Sequence, residues 1–562
     1  MKRIVTLLLA LLMLASLLVG CNTTPTGPAN SQTIGDRNES AGKGDASPHV
    51  LKEGVIDLNQ DLSKYWLCDE KTTLTILTYD GANSSYRPPS NDLWFWQVME
   101  AYTNVHIDWE IAPVSGYDEV LNTRLSAGVD LADIVMSTNS RATTNAGDNG
   151  IFIDLMPYWD SCFTNTKYYF EQLGTDLLGY ITNPNGKVYA LPNVMNPTEG
   201  HITFMYNTKW LEELGAKVPT TLDEFTALMQ QMKAAGDLNH NGYDDEVVLT
   251  SSNITTMMSV LGNAFNLEIY EGWDAFGVGT DGKVYNEYTT ENMKACLSYM
   301  NELYEAGIMD SEISYMSADD LGEKIANDRV GCFIYYSGFA VSYGMLTSDG
   351  QEDPMGEWYT LGMPLASEWN GNEGYFVSRT LAYGNTGASI TSECKNPELA
   401  AKWLDVLYSD PTILWARVFG KEGETYQMNG DSVSLIATGS GGQWDPYYLG
   451  VGQLSLPFIQ TTEEMAMDAR QWYMDQCQQI RECKWIDASI PKVSIFSEEE
   501  AMLRDEVNSE VTAYWLEWRD KFVTGLADID KDWDTYVNSI NGVGMMQLTE
   551  VWQMVHDRLN QK

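Results

Sequence analysis

Residues 73–138 contain, in order, TLTILTYD (73–80), LWFWQVMEAYTN (93–104), VHIDWEIAP (105–113), YDEVLNTRLSAG (117–128) and LADIVMST (131–138). Strand-like and helix-like segments alternate, which is how a doubly wound α/β lobe opens. In such lobes ligands collect beyond the carboxyl ends of the strands. The segments after Tyr79-Asp80, after Pro113 and after Ser137 are therefore the first places to look for a site. A second alternation starts at YALPNVMNPTEGHITFMYNTKWLEELG (189–215), where a second lobe is expected.

Length and composition agree with more than one lobe. The chain has 562 residues, 44% of them hydrophobic and 11% aromatic, enough for a large core. Its 79 acidic residues outnumber 34 basic ones, for a formal charge of −45. Such a surface repels phosphate backbones and anionic lipid headgroups, so no nucleic-acid partner is expected.

At the N-terminus a basic MKR precedes the apolar run IVTLLLALLMLASLLVG, which ends at Leu18-Val19-Gly20-Cys21. This reads as a lipoprotein signal: residues 1–20 are removed, and Cys21 carries the lipid that holds the chain on the outer face of the cytoplasmic membrane. The apolar run is short for a membrane span, and a cysteine at its end has no role in an ordinary secretory signal. Residues 21–55 form the anchor and a tether rich in Asn, Thr, Ser, Gly and Pro, with roughly 30 Å of reach over residues 22–49. The other cysteines, Cys68, Cys162, Cys296, Cys332, Cys394, Cys477 and Cys483, are scattered and contain no CxxC. Buried free thiols are the expectation, with a Cys477–Cys483 pairing left open.

The stretch DLNHNGYDDE (237–246) alternates oxygen-bearing side chains around a glycine, which suits a hard cation such as calcium. Asp237, Asn239, Asn241, Tyr243 and Asp245 stand at positions one, three, five, seven and nine of an EF-hand-like loop, with Gly242 at six. Tyr243 offers its backbone carbonyl. Position twelve is Val248, so Glu246 at ten has to supply the last carboxylate. The segment that follows, VVLT, is strand-like and no second loop pairs with this one, so a clip between helix and strand fits better than a sensor.

Catalytic constellations are missing from the sequence: it has no HExxH, GxSxG or Walker A, and only five histidines. The GxGxxG of Gly277–Gly282 leads into a strand-like segment and reads as a turn. Acidic runs such as Glu498, Glu499 and Glu500 read mostly as solvated face. Aromatic rings are more telling, because sugar rings present C–H faces that lie flat on Trp and Tyr. The candidates carried forward are Trp96, Tyr336, Trp369, Tyr375, Trp444 and Tyr447; Trp94 and Tyr335 stand beside them, Trp94 reading equally as core, and Trp403 is assigned to a core.

YNTKWLEELGAKVPTTLDEFTALMQQMKAAGDLNHNGYDDE (206–246) resembles the signature segment of the family 1 extracellular solute-binding proteins of ABC importers. Four further segments follow in the order of that family: TDGKVYNEYTTENMKACLSYMNELYEAGIMD (280–310), KIANDRVGCFIYY (324–336), KNPELAAKWLDVLYSD (395–410) and YVNSINGVGMMQLTEVWQMVHDRLNQ (536–561). The match is nearest the large lipoprotein branch that serves oligosaccharide importers. The resemblance implies a two-lobed α/β fold of the periplasmic-binding-protein type (type II, cluster D-like), with an oligosaccharide in the cleft and a permease that recognises the closed form. It also implies a structural calcium in the 237–246 loop, a monomer and no catalytic activity. Lobe 1 is expected over residues 56–198 plus about 380–450, and lobe 2 over 199–379 plus about 451–562. The competing class is a surface-anchored carbohydrate-active enzyme, a lyase or hydrolase with a structural calcium.

Overall fold

The computed structural model describes residues 58–560 except 59, 80–89, 139, 173–176, 196–201, 270–274, 338–339, 341–357, 379–380, 425, 430–431, 436–470 and 488–495. The opening alternation is as the sequence indicates. Strand β1 (Thr72–Tyr79) is followed by α1 (Trp94–Thr103), which stops at Asn104 in left-handed backbone (φ 58°). Strand β2 (Val105–Ala112) then pairs in parallel with the whole of β1. Helix α2 (Tyr117–Ala127) ends on Gly128 (φ 64°), and β3 (Ile134–Thr138) joins the other side of β1. After α3 (Thr164–Gln172) comes β4 (Leu191–Met195).

The second alternation begins with β5 (Ile202–Asn207), whose last residue caps α4 (Thr208–Leu214). Helix α5 (Leu222–Ala235) is capped by Thr221 and leads through the 237–246 loop into β6 (Val247–Ser251). Next are α6 (Ile254–Leu261), the hairpin β7 (Phe276–Val278) and β8 (Val284–Asn286), α7 (Glu291–Glu305) and α8 (Ala318–Ala326). The GxGxxG thus makes a hairpin turn. Strands β9 (Val330–Tyr336), β10 (Tyr359–Leu361) and β11 (Phe376–Ser378) precede β12 (Leu381–Ile390). The rest comprises α9 (Pro397–Ser409), α10 (Pro411–Phe419), the β13–β14 hairpin (Tyr426–Asn429, Ser432–Leu435), α11 (Gln471–Arg481), β15 (Trp485–Asp487), α12 (Glu498–Val523), α13 (Ile529–Ile540) and α14 (Met546–Leu559).

Two main sheets result, ordered β2-β1-β3-β12-β4 and β10-β5-β9-β6. Each has its own core. Around the first, Ile76, Ile107, Ile134 and Leu191 pack with Phe95 of α1 and Trp403 of α9. Around the second, Phe204, Tyr206 and Met257 pack with Phe225 of α5 and with Val511, Trp515, Tyr536 and Trp552 of the C-terminal helices. Burial at this density is the main stabilising term.

The C-terminal helices are pinned to each other. Glu500 is only 3% exposed and, contrary to the solvated-face reading, its carboxylate accepts from Arg558 Nε at 2.9 Å and Nη2 at 2.8 Å. It also closes a capping box with Ser497. Between α13 and α14 the backbone makes a π-helical step, in which Gly544 (φ 140°) comes so close to α12 that a Cβ there would lie 2.7 Å from Val507 Cβ. All seven cysteines in the described region are free, including Cys477 and Cys483. Among the described residues no helix is long and apolar enough to cross a membrane.

Candidate functional site

Strand directions define where a ligand can sit. In the first sheet β1, β2 and β3 run in parallel, and β12 is antiparallel to both β3 and β4. The carboxyl ends of β1–β4 therefore lie together, with the start of β12 beside the end of β4 (Leu381↔Met195). In the second sheet β6 and β9 are parallel and β5 is antiparallel to β9, placing Ile202 opposite Tyr336. The chain leaves the first sheet at Met195 and enters the second at Ile202, and it returns to the first sheet at Leu381 after β11, which pairs with β15 in a separate two-stranded sheet. Both sheets therefore turn their strand carboxyl ends toward the crossings. That is the position of a cleft in such folds.

Four of the six aromatic candidates can be placed. Tyr336 is the last residue of β9, half-buried at the cleft end, with its ring edge-on to Tyr335 at 5.3 Å. Trp369 is 47% exposed on a turn after β10, and its ring leans on Phe265 at 6.1 Å. That turn is held by Asn370 Nδ2, which donates to the Asn263 and Leu365 carbonyls (3.2 and 2.8 Å), and by Ser367, whose hydroxyl donates to the Ala264 carbonyl. Ala366 bridges Thr221 at the start of α5. Because α5 feeds the amino end of β6, its own start lies at the cleft end, and so does the Trp369 turn.

The other two placed candidates are corrected by burial. Trp96 is 2% exposed inside the first core, edge-on to Trp109 at 4.7 Å, and offers no ring face. Tyr375 is 5% exposed, with its hydroxyl donated to Asn266 Oδ1 at 2.9 Å. Burial, with Glu268 and Glu287 nearby, pushes its phenol up to about 12. Trp444 and Tyr447 lie outside the described residues, as does Cys21.

The 237–246 loop sits at the opposite end of the second sheet. It precedes Val247, so all of β6, on the order of 13 Å at ~3.3 Å per residue, separates it from the cleft. Its turns are held from within. Asn239 Oδ1 and Asn241 Oδ1 accept from the N–H groups two residues on (3.0 and 2.8 Å), and Asp237 Oδ2 accepts from Gly242 N at 3.0 Å. Gly242 takes φ 85°, which only a residue without Cβ adopts freely.

Two carboxylate oxygens in this loop, Asp237 Oδ1 and Glu246 Oε2, are buried without a hydrogen-bond donor. Each belongs to a group whose other oxygen is bonded to a backbone N–H, to Gly242 and Asn239 respectively. Unpartnered negative oxygens facing inward fit a cation, and Glu246 at position ten supplies one of them. Asp245 differs, since its carboxylate is engaged by Asn241 Nδ2 (2.9 Å) and Arg329 Nε (3.0 Å). No cluster of three or more His, Cys, Asp or Glu side chains suited to an ion forms among the described residues. Arg329 escaped the sequence reading because its partner lies across the sheet, although its place just before β9, beside β6, is a signal that could have found it.

Two α/β lobes, each with a central sheet and a shared cleft at the strand carboxyl ends, define the class of two-lobed, periplasmic-binding-protein-like receptors. The chain belongs to the bacterial extracellular solute-binding protein family, whose profile matches residues 88–412, more than half of it. It is 26% identical over 395 residues to FusA of Streptococcus pneumoniae serotype 4, a fructooligosaccharide ABC transporter substrate-binding protein, with 68% of each chain covered. In structure it is similar to S. pneumoniae FusA in complex with kestose (TM-score 0.67, 20% identity, 86% of this chain and 99% of that one). It is also similar to the alginate-binding protein AlgQ2 without calcium ion (TM-score 0.66, 19% identity, 88% and 99%).

Proposed function

We propose that the protein captures an oligosaccharide outside the cell and delivers it to the permease of an ABC importer. The observation that carries this is the arrangement of the two sheets, with their carboxyl ends and both crossings at one cleft and an exposed tryptophan, Trp369, at its edge. Closure of two lobes about short crossings turns ligand contact into a shape that a permease can recognise. The fructooligosaccharide specificity of FusA supports the substrate class.

The remaining parts of the reading follow from the sequence. Lobe 1 takes residues 56–198 plus about 380–450 and lobe 2 takes 199–379 plus about 451–562, a division supported by the separate cores. Cys21 carries the lipid that holds a monomer at the membrane. Asp237, Asn239, Asn241, the Tyr243 carbonyl, Asp245 and Glu246 hold calcium, which neutralises the loop's carboxylates and fixes the turn from α5 into β6. Tyr336 and Trp369, with Trp444 and Tyr447, meet the sugar.

The test is a glycan array probed with the protein lacking residues 1–21, followed by titration and solution scattering with the best-bound glycan. Binding with a decrease in radius of gyration is the expected result. Shorter or unsaturated products in chromatograms of the incubated glycan would establish an enzyme instead.

A further inference from the structure

We propose that Tyr315 is a second aromatic platform on the cleft rim of lobe 2, stacking on a distal ring of an oligosaccharide whose other rings reach toward Trp369; this rests on the oligosaccharide reading above. The placement follows from strand direction. Met309 bridges Leu249 in parallel, with Leu249 N donating to the Ile308 carbonyl (3.0 Å) and Asp310 N to the Leu249 carbonyl (2.9 Å). Ile308–Asp310 thus extends the sheet beyond β6 and runs toward the same end as β6. The chain emerges there as a turn over residues 311–315, before α8 carries it back to Arg329 at the amino end of β9.

Tyr315 is 72% exposed, while Ile313 and Met316 beside it are buried. Its turn is braced from below. Buried Asp310 accepts from Thr250 Oγ1 (3.0 Å), Lys324 Nζ (2.6 Å) and Glu312 N (3.0 Å), and Lys324, itself 8% exposed, also reaches Glu312 at 2.7 Å. The Tyr304 hydroxyl donates to the Ser311 carbonyl at 3.3 Å, and Ser317 with Asp320 closes a capping box directly after the turn. A lysine and a carboxylate buried this deeply gain little net stability from their attraction. What they do provide is a fixed turn, and a fixed turn that holds an aromatic ring in water loses little entropy when a ligand covers the ring.

The carboxylate of Glu312, on the same turn and half exposed, can accept from sugar hydroxyls. From β10 across β5, β9 and β6 to the Met309 bridge are four strand spacings, about 19 Å at ~4.8 Å each, so the rim accommodates several linked rings.

The test uses an array carrying short and long fructooligosaccharides and oligogalacturonides among its glycans, followed by calorimetric titration of kestose and its longer homologues, or of the equivalent ladder for whichever glycan binds. Tyr315→Ala should weaken the long members about ten-fold and leave the shortest bound member within two-fold. Tyr315→Phe, which keeps the ring, should match the wild type. Equal affinity of wild type and Tyr315→Ala for every length, or an equal loss at every length, would overturn the platform while leaving the receptor reading standing. A wild type that binds no glycan on the array would overturn the oligosaccharide reading, and the platform with it.

Discussion

Replacing Asp237 by Asn should give a variant at least as stable as the wild type without calcium and less stable than it with calcium. In the wild type Asp237 Oδ2 accepts from Gly242 N at 3.0 Å while Oδ1 is buried without a donor. Leaving a buried acceptor unsatisfied costs about 1–3 kcal/mol, and more when it is charged. Asparagine can keep the bond to Gly242 and puts a neutral amide where the charged oxygen stands. In chelator, Asp237→Asn should therefore match or exceed the wild type by on the order of 1 kcal/mol. With calcium at a hundred times its dissociation constant, the wild type should gain about 2.7 kcal/mol by mass action, and the variant, lacking one ligand charge, much less. Denaturant unfolding of both proteins in chelator and in calcium reads all four values. Identical wild-type curves in the two conditions, or parallel shifts of wild type and variant, would refute the metal reading of the loop.

Four further outcomes are expected. Trp369→Ala should cost roughly 1 to 3 kcal/mol in sugar affinity, as truncated aromatic anchors do, with an unchanged melting temperature because the ring is 47% exposed; calorimetry alongside thermal unfolding separates the two. Gly544→Ala should destabilise by about 1–3 kcal/mol through the clash with Val507. Gly542→Ala, where a Cβ meets nothing within 4 Å, should stabilise by about 0.5–1 kcal/mol, and equal effects of these two changes in thermal unfolding would contradict the packing described for α12 and α14. Cys21→Ser should abolish incorporation of labelled fatty acid, because only a thiol forms the thioether; a labelled variant would disprove the anchor.

What the sequence revealed was what is written locally. The boundaries of β1, α1, β2 and α2 are marked within a residue or two by their own periodicity, the start of β3 within three, and the 237–246 loop by its spacing. The insertion of β12 between β3 and β4 left no such mark, because its pairing depends on residues far away in the chain. Burial of aromatic rings was equally hard to read. Trp96 faces a core completed by Trp109, and Tyr375 finds its acceptor in Asn266, 109 residues earlier. The Asp310–Lys324 pair was invisible for the same reason, since a charge run does not say which member is buried.

The place of β12 in the first sheet also bears on how the chain matures. A chain is made from its N-terminus, and β1 to β4 emerge first, yet among the described residues β3 and β4 form no ladder with each other and are joined through β12. Until about residue 390 has been synthesised, both strands present open edges, and unpaired edges are templates for wrong association. The four strands of the second sheet, by contrast, all lie between Ile202 and Leu361 and can pair before β12 exists. The sheet whose strands are synthesised first is thus closed last, and a chain halted before Leu381 would hold a closable second sheet behind an unfinished first one.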